Sequence, residues 1–362
     1  MKKYNRIYNF SSGPSQIPVE VLEKIKENLL NFNASGMSIM EMNHYFAVYK
    51  KIHNSTQNMI KDILNINNNY DVLLLQGGSR LQFSMIPLNF CKNPYDKGGY
   101  VVSGIWSEEA LNEAIALDKG YNLFENNKDY TSIPVISNDF IKPNTSYIHI
   151  TSNNTIIGTQ YHEYPSINYP LIADMTSDIF TKNIDINKFD MVYASAQKNI
   201  GISGITVAII KKEKLKEADH LPSSLSYHHH LRNNSMLSTP PTFNIYVLYE
   251  MLKWIKSNGG IDTAEDLTKQ KAKLIYDFID SSNGFYMGMC DKKNRSNNNI
   301  TFNLYNKELQ DKFLEESIKV NIHGILGHYL VGGFRVANYT GINKDDIFHL
   351  LDFMNQFMKK YK

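Results

Sequence analysis

The segments Leu171–Asp178, LIADMTSD, and Ala194–Gly201, ASAQKNIG, lie about one βαβ step apart and together decide how the chain folds. Leu171, Ile172 and Ala173 form an apolar run ending in Asp174, and Met191, Val192, Tyr193 and Ala194 form a second run that leads into a loop carrying Lys198. Short unbroken apolar runs mark strands buried on both faces, as in parallel sheets. The carboxyl ends of such strands are where open α/β sheets bind ligands. A lysine and a carboxylate delivered to one rim have the chemistry of a pyridoxal 5′-phosphate site: the amine bonds to the aldehyde, and the carboxylate keeps the pyridine nitrogen protonated. Each residue also fits a plainer role, the lysine as a solvated loop charge and the aspartate as a helix N-cap.

Outward from this pair, between Asp71 and about Ile210, the runs DVLLLQ, GYVVSG, YIHIT, YPLIAD, DMVYAS and TVAII alternate with helical or loop stretches. That alternation predicts a parallel sheet wrapped by helices. Before it, an extended start is followed by Pro14 and Pro18, an amphipathic helix VEVLEKIKENLLNF and a second helical pattern from Tyr49 to Leu64. After it, a long helix from Phe243 to Ser257 stops at Asn258-Gly259-Gly260. Helix (Asp262 to Ile279), strand (NNITFNLY), helix (Lys307 to Val320) and a last helix from Asp345 then describe a smaller α+β unit. The expected organisation is an extended N-terminal segment, 1–15, packing near the small domain, a large cofactor domain, 16–260, and a small C-terminal domain, 261–362.

The 362 residues suit about two domains. A formal charge of +2 gives no electrostatic case for nucleic acid or an anionic membrane. Cys91 and Cys290 are too far apart in sequence to suggest a disulfide framework or a zinc site. The polar start lacks a signal-peptide h-region, and no apolar span reaches ~18 residues, so a cytoplasmic protein is expected. His228-His229-His230 reads as loop, because adjacent residues rarely face one ion.

DVLLLQGGSRLQF predicts a strand, the turn Gly77-Gly78-Ser79-Arg80 and a helix. A helix N-terminus after glycines suits a phosphate, although a plain βα turn has the same look and GxGxxG is missing.

NFSSGPSQIP, QGGSRLQF, IADMTSDIF, ASAQKNIGISG and TPPTFNIYVL closely resemble the phosphoserine aminotransferase family of class V pyridoxal phosphate enzymes, nearly end to end. The resemblance implies fold type I and a homodimer with shared active sites. It makes Lys198 the Schiff-base lysine and puts Asp174 on the pyridine nitrogen. Trp106 matches the ring-stacking residue, and Thr155 the contact to the ring hydroxyl. Gly78, Ser79, Arg80 and Gln197 match the residues that hold the cofactor phosphate. Ser238 and Thr239 match a pair that reaches it from the other subunit, where the family usually has asparagine and threonine. The implied reaction moves an amino group from L-glutamate to 3-phosphohydroxypyruvate, with 4-phosphohydroxythreonine chemistry as a second activity of the family.

Two departures stand out. The family has histidine then arginine where this chain has His44-Tyr45 and again His328-Tyr329. Those arginines help hold the substrate's phosphate or distal carboxylate, opposite the arginine for the α-carboxylate, which remains as Arg335. Each replacement removes ~1 to 2 kcal/mol of anion binding unless another cation compensates. His44, Arg80 and His328 remain, and Lys50, Lys51 or Arg232 are further candidates. Two alternatives follow: a transaminase of the same fold with a less anionic ketoacid, or a non-catalytic cofactor-binding dimer, the latter opposed by Lys198, Asp174 and Arg335. A cysteine desulfurase needs a cysteine on a mobile loop, which neither Cys91 nor Cys290 suits.

Overall fold

A computed structural model describes residues 2–124, 130–215 and 221–362. Strand β1 (Tyr8–Asn9) and helices α1 (Val19–Asn28) and α2 (Ala47–Ile63) precede the main sheet. The sheet contains β2 (Tyr70–Gln76), β3 (Lys97–Tyr100), β4 (Gly120–Asn122) and β5 (Thr145–Thr151), with α3 (Ser79–Phe90) and α4 (Ile105–Ala116) between β2 and β4. A small ribbon, β6 (Asn153–Asn154) with β7 (Thr159–Gln160), leads to β8 (Leu171–Asp174), β9 (Met191–Ser195) and β10 (Ile205–Lys211). The strand order is β2-β10-β9-β8-β5-β3-β4.

From β9 to β4 the strands run parallel, but β10 is antiparallel to both β9 and β2. The mainly parallel sheet expected from the apolar runs is thus present, with β10 as its antiparallel member. The cause is the connection 196–204, which is too short for a crossover helix and folds the chain straight back.

Side-chain alternation sorts the strands onto two faces. Val72, Leu74, Val192, Ala194, Val207 and Ile209 face one way, covered by Val21 and Ile25 of α1, Ile52 and Ile60 of α2, and a long helix described next. Leu73, Leu75, Met191, Tyr193, Ala208 and Ile210 face the other way, under Phe83 and Ile86 of α3 and Ala110, Leu111 and Ala114 of α4. The histidines expected in a loop belong to a short helix, α5 (Tyr227–Arg232), started by Ser226, whose hydroxyl accepts from His229 N at 3.3 Å. The side chain–backbone cap outweighs the polar look of the segment.

Helix α6 (Thr242–Ser257) presents Ile245, Leu248 and Leu252 to the sheet. Gly259, at φ 95°, then turns the chain into α7 (Gly260–Ser281). A three-stranded antiparallel sheet, β11 (Tyr286–Gly288), β12 (Asn299–Leu304) and a closing strand, packs against α7, α8 (Gln310–Lys319) and a terminal helix. Between α8 and the closing strand, β13 (Ile322–His323) pairs in parallel with β1, which brings the N-terminus into this unit. The closing strand is β14 (Phe334–Ala337), and the terminal helix is α9 (Lys344–Tyr361). Phe10 joins an aromatic core of Phe285, Phe302, Phe313, Phe334, Phe353 and Phe357. Among the described residues no helix is long and apolar enough to cross a membrane, and no cluster of three or more metal-ligating side chains occurs.

Candidate active site

A cavity of about 380 Å³ opens at the carboxyl ends of β2, β5, β8 and β9, facing β14. Asp174 ends β8, and Lys198 stands in the turn after β9. Both side chains line the cavity, as do Gly78, Ser79, Arg80, Trp106, Thr155, Gln197, His328 and Arg335.

Asp174 is 6% exposed and accepts a hydrogen bond from Thr176 N at 2.9 Å. Burial pushes its pKa up, while Thr176 and the Lys198 charge pull the other way. Desolvation, with a smaller push from the Arg335 charge, brings the Lys198 amine down to about 8 against the pull of Asp174. An amine so tuned has a reactive free-base fraction at neutral pH.

The turn after β2 is shorter than its sequence suggests. Gly78 is the N-cap of α3, so Ser79 and Arg80 lie in the helix's first turn. Ser79 N donates to Ser195 Oγ at 2.6 Å, and Ser79 Oγ lies 2.7 Å from both Ser195 Oγ and Thr176 Oγ1. Three hydroxyls thus cluster at a helix N-terminus that has no side-chain cap. Thr176 and Ser195 were not singled out from sequence. Their one signal was position, Thr176 two residues after Asp174 and Ser195 two residues before Gln197.

Trp106 is 36% exposed, and its Nε1 donates to Thr155 Oγ1 at 3.2 Å, which fixes the indole at the cavity wall. Arg335 Nη1 donates to Thr155 O at 3.1 Å. Its Nε is buried without a partner, and no carboxylate among the described residues acts on its charge. The guanidinium is therefore an uncommitted cation facing the cavity. Arg80, in contrast, is already held by Glu109 at 2.8 Å and Glu113 at 3.7 Å.

The other expected residues lie outside this cavity. Tyr329 is 85% exposed. His44 is buried with its ring tilted against that of Tyr45, centroids 4.1 Å apart, and Tyr45 is 69% exposed. Gln76 Nε2 donates to Ser238 Oγ at 3.2 Å and to Thr239 O at 2.5 Å. His44 and Thr239 border a separate open concavity of about 470 Å³.

The donor set fits pyridoxal 5′-phosphate. The hydroxyl cluster and α3 N-terminus suit a phosphate, Asp174 a protonated pyridine, Trp106 a ring face, and Lys198 an aldehyde.

Residues 7–337 match the family model for aminotransferase class-V. The chain is 46% identical to the phosphoserine aminotransferase of Lysinibacillus sphaericus over 360 residues, 99% of each protein. Its fold superposes on the phosphoserine aminotransferase of Bacillus circulans subsp. alkalophilus with a TM-score of 0.95, at 40% identity and 99% coverage of both chains. The phosphoserine aminotransferase of Trichomonas vaginalis with bound pyridoxal phosphate gives a TM-score of 0.91 at 30% identity, covering 97% of this chain and 100% of that one.

Proposed function

The chain belongs to the class-V aminotransferases, and on that footing we propose that it is a pyridoxal phosphate-dependent phosphoserine transaminase of serine biosynthesis. It interconverts 3-phosphohydroxypyruvate plus L-glutamate with O-phospho-L-serine plus 2-oxoglutarate. The observation that carries this reading is the tuned Lys198 amine facing the same cavity as Asp174 and the uncommitted Arg335, in a chain alike end to end to phosphoserine aminotransferases.

When bound, the cofactor supplies a protonated pyridine that withdraws electrons from the substrate's α-carbon. Asp174 holds the proton on the pyridine nitrogen. Ser79, Thr176, Ser195 and the α3 N-terminus would hold the cofactor's phosphate, with Gly78 and Gln197 beside them in the cavity lining, and Trp106 would offer its indole to the ring. Thr155 orients Trp106 and, through its carbonyl, Arg335. Arg335 binds the α-carboxylate of both substrates with its planar fork. With the cofactor bound, the Lys198 amine would be the group placed to take up and return the substrate's α-proton. His328 and Arg80 also line the cavity and are the groups left for the acceptor's phosphate.

The reading extends to a cytoplasmic homodimer. In it His44, Tyr45, Ser238 and Thr239, outside their own chain's cavity, serve the neighbour's site, and Tyr329 lies at the shared rim. It also keeps the division into 1–15, 16–260 and 261–362, supported by the separate aromatic core around Phe313. The less anionic acceptor gains no support, since the full-length relatives are phosphoserine aminotransferases. The non-catalytic reading fails to explain why the Lys198 amine is tuned at all.

The test is a half-reaction screen. Enzyme converted to its amino-loaded form is offered ketoacids with and without phosphate, and return of the visible cofactor band is followed. A clear preference for 3-phosphohydroxypyruvate is expected. Equal or better rates with unphosphorylated ketoacids would refute the assignment of substrate.

A further inference from the structure

Strand register places a buried polar chain against Asp174. Asp174 pairs with Tyr193 across β8 and β9, so the two side chains stand side by side on the α3–α4 face of the sheet. Thr151 pairs with Asp174 on the other flank, and His149, two residues earlier on β5, points to that same face. Burial raises the pKa of the Tyr193 hydroxyl, and the negative charge of the neighbouring Asp174 raises it further. Tyr193 Oη and His149 Nε2 lie 2.9 Å apart. Tyr100 stacks on the imidazole at 4.9 Å, and its own hydroxyl meets that of Tyr147 at 2.7 Å.

We propose that Tyr193 and His149 are positioning residues for Asp174, forming a two-step hydrogen-bond relay that keeps its carboxylate oriented and ionised beneath the cofactor ring. The inference rests on the role given to Asp174 above.

The direction of the relay follows from the donor inventory. An ionised carboxylate only accepts, so the Tyr193 O–H donates to Asp174. The Tyr193 oxygen is then free to accept, which puts the imidazole proton on Nε2 of His149 and leaves Nδ1 bare. Nδ1 is indeed buried with no partner. Burial brings the imidazole down to about 3, so the ring is neutral and serves as a dipole rather than a charge. Linked donors of this kind polarise one another in a low-dielectric interior.

Core packing alone accounts poorly for this pair. His149 and Tyr193 lie among apolar side chains at 1% and 0% exposure. An unpartnered buried acceptor such as Nδ1 is a liability that a phenylalanine of similar shape would not carry. What imidazole offers there, and phenylalanine does not, is the Nε2–H donated to Tyr193. Asp174 has a need for it, because burial pushes this carboxyl toward its protonated form. A protonated Asp174 could no longer hold the pyridine nitrogen in its cationic state.

The test compares wild-type holoenzyme with Tyr193→Phe, His149→Phe and His149→Gln, the last retaining an N–H near the Nε2 position. The readouts are the pH midpoint of the visible cofactor band, the equilibrium affinity for pyridoxal phosphate, and kcat separated from KM. With Tyr193→Phe the midpoint is expected to rise by about half a pH unit or more, since a less firmly protonated pyridine withdraws fewer electrons. Affinity is expected to fall about three- to tenfold and kcat about tenfold, with KM for L-glutamate within about twofold. His149→Phe moves each readout the same way, and His149→Gln recovers at least about half of the loss in kcat. Variants that bind cofactor with the wild-type midpoint and affinity, changing only thermal stability, would overturn the relay while leaving the transaminase reading intact. So would a glutamine variant no better than the phenylalanine one. A wild type with no visible cofactor band would bring down both.

Discussion

The hydroxyl of Ser15 donates to the backbone carbonyl of Lys198, joining residues 183 positions apart. Ser15 N also donates to Gln197 O at 3.0 Å. Gly13, at φ 131°, passes so close that a Cβ there would lie 3.3 Å from Lys198 Cγ. The N-terminal segment is thus a clamp on the lysine turn, fixed at its other side by the pairing of β1 with β13.

The clamp predicts that Ser15→Ala, which removes one hydrogen bond worth ~1 kcal/mol, weakens cofactor affinity and kcat about threefold to fivefold. Gly13→Ala is worse, because it combines an unfavourable backbone conformation with crowding of the lysine stem. About tenfold or more in cofactor affinity is expected. Fluorescence titration of apoenzyme with pyridoxal phosphate measures both. Wild-type affinity in Gly13→Ala would show that the segment merely lies beside the loop.

Asp174 and Lys198 stood out in the sequence as a carboxylate closing one buried apolar run and a lysine in the loop just past the next. Thr176 and Ser195 escaped notice because serine and threonine at strand ends are too common to mark a phosphate site. Their meaning depends on Ser79 arriving from β2, a strand distant in sequence. The reversed direction of β10 was hidden for a related reason: an apolar run records burial on both faces but not which way the strand points. The Ser15 clamp and the Tyr193–His149 pairing are likewise products of register and of long-range contact. The helix at His228 had a signal, Ser226 as N-cap, which the run of histidines obscured.

The Lys198 amine sets a pH dependence. Its pKa is brought down to about 8, so below that pH it is mostly protonated and unreactive toward an aldehyde. Covalent capture of pyridoxal phosphate by apoenzyme should accelerate about tenfold per pH unit toward 8 and level off above it. The linkage has the matching sign. The folded value lies below that of the unfolded chain, so the charged amine costs the apo fold stability below about 8, and the cost fades as pH rises toward the unfolded value. Stopped-flow absorbance between about pH 6 and 9 tests the rate. In Lys198→Ala the cofactor should bind only non-covalently, with no turnover, and a rate without pH dependence in the wild type would remove Lys198 as the capturing group.

Arg335 offers a cation with no carboxylate partner among the described residues, so replacing it should tax substrate binding more than folding. Arg335→Gln should lower kcat/KM for L-glutamate and for the phosphorylated ketoacid about a hundredfold, the equivalent of ~3 kcal/mol of charge-assisted bonding. Arg335→Lys keeps the charge but loses the fork, and about a tenfold rise in KM is expected. Steady-state kinetics with each substrate varied in turn decide it. KM values within about twofold of wild type in the glutamine variant would place the α-carboxylate elsewhere.

Thr239 lies outside its own chain's cavity, beside His44 on an open concavity, which suits a residue that completes a neighbour's site. Thr239→Asp would then set a negative charge against the neighbour's cofactor phosphate, and a homodimer of this variant should be nearly inactive. Lys198→Ala homodimers are inactive for a different reason. Mixing the two variants after dissociation and reassociation forms hybrids in which one site inherits both defects and the other inherits neither. Random pairing makes half of the dimers hybrid with one good site each, so about a quarter of wild-type activity should return. Rescue at that level requires sites built across the subunit boundary. Sites contained within single chains would give no recovery at any mixing ratio, and sharing through Thr239 would then be wrong.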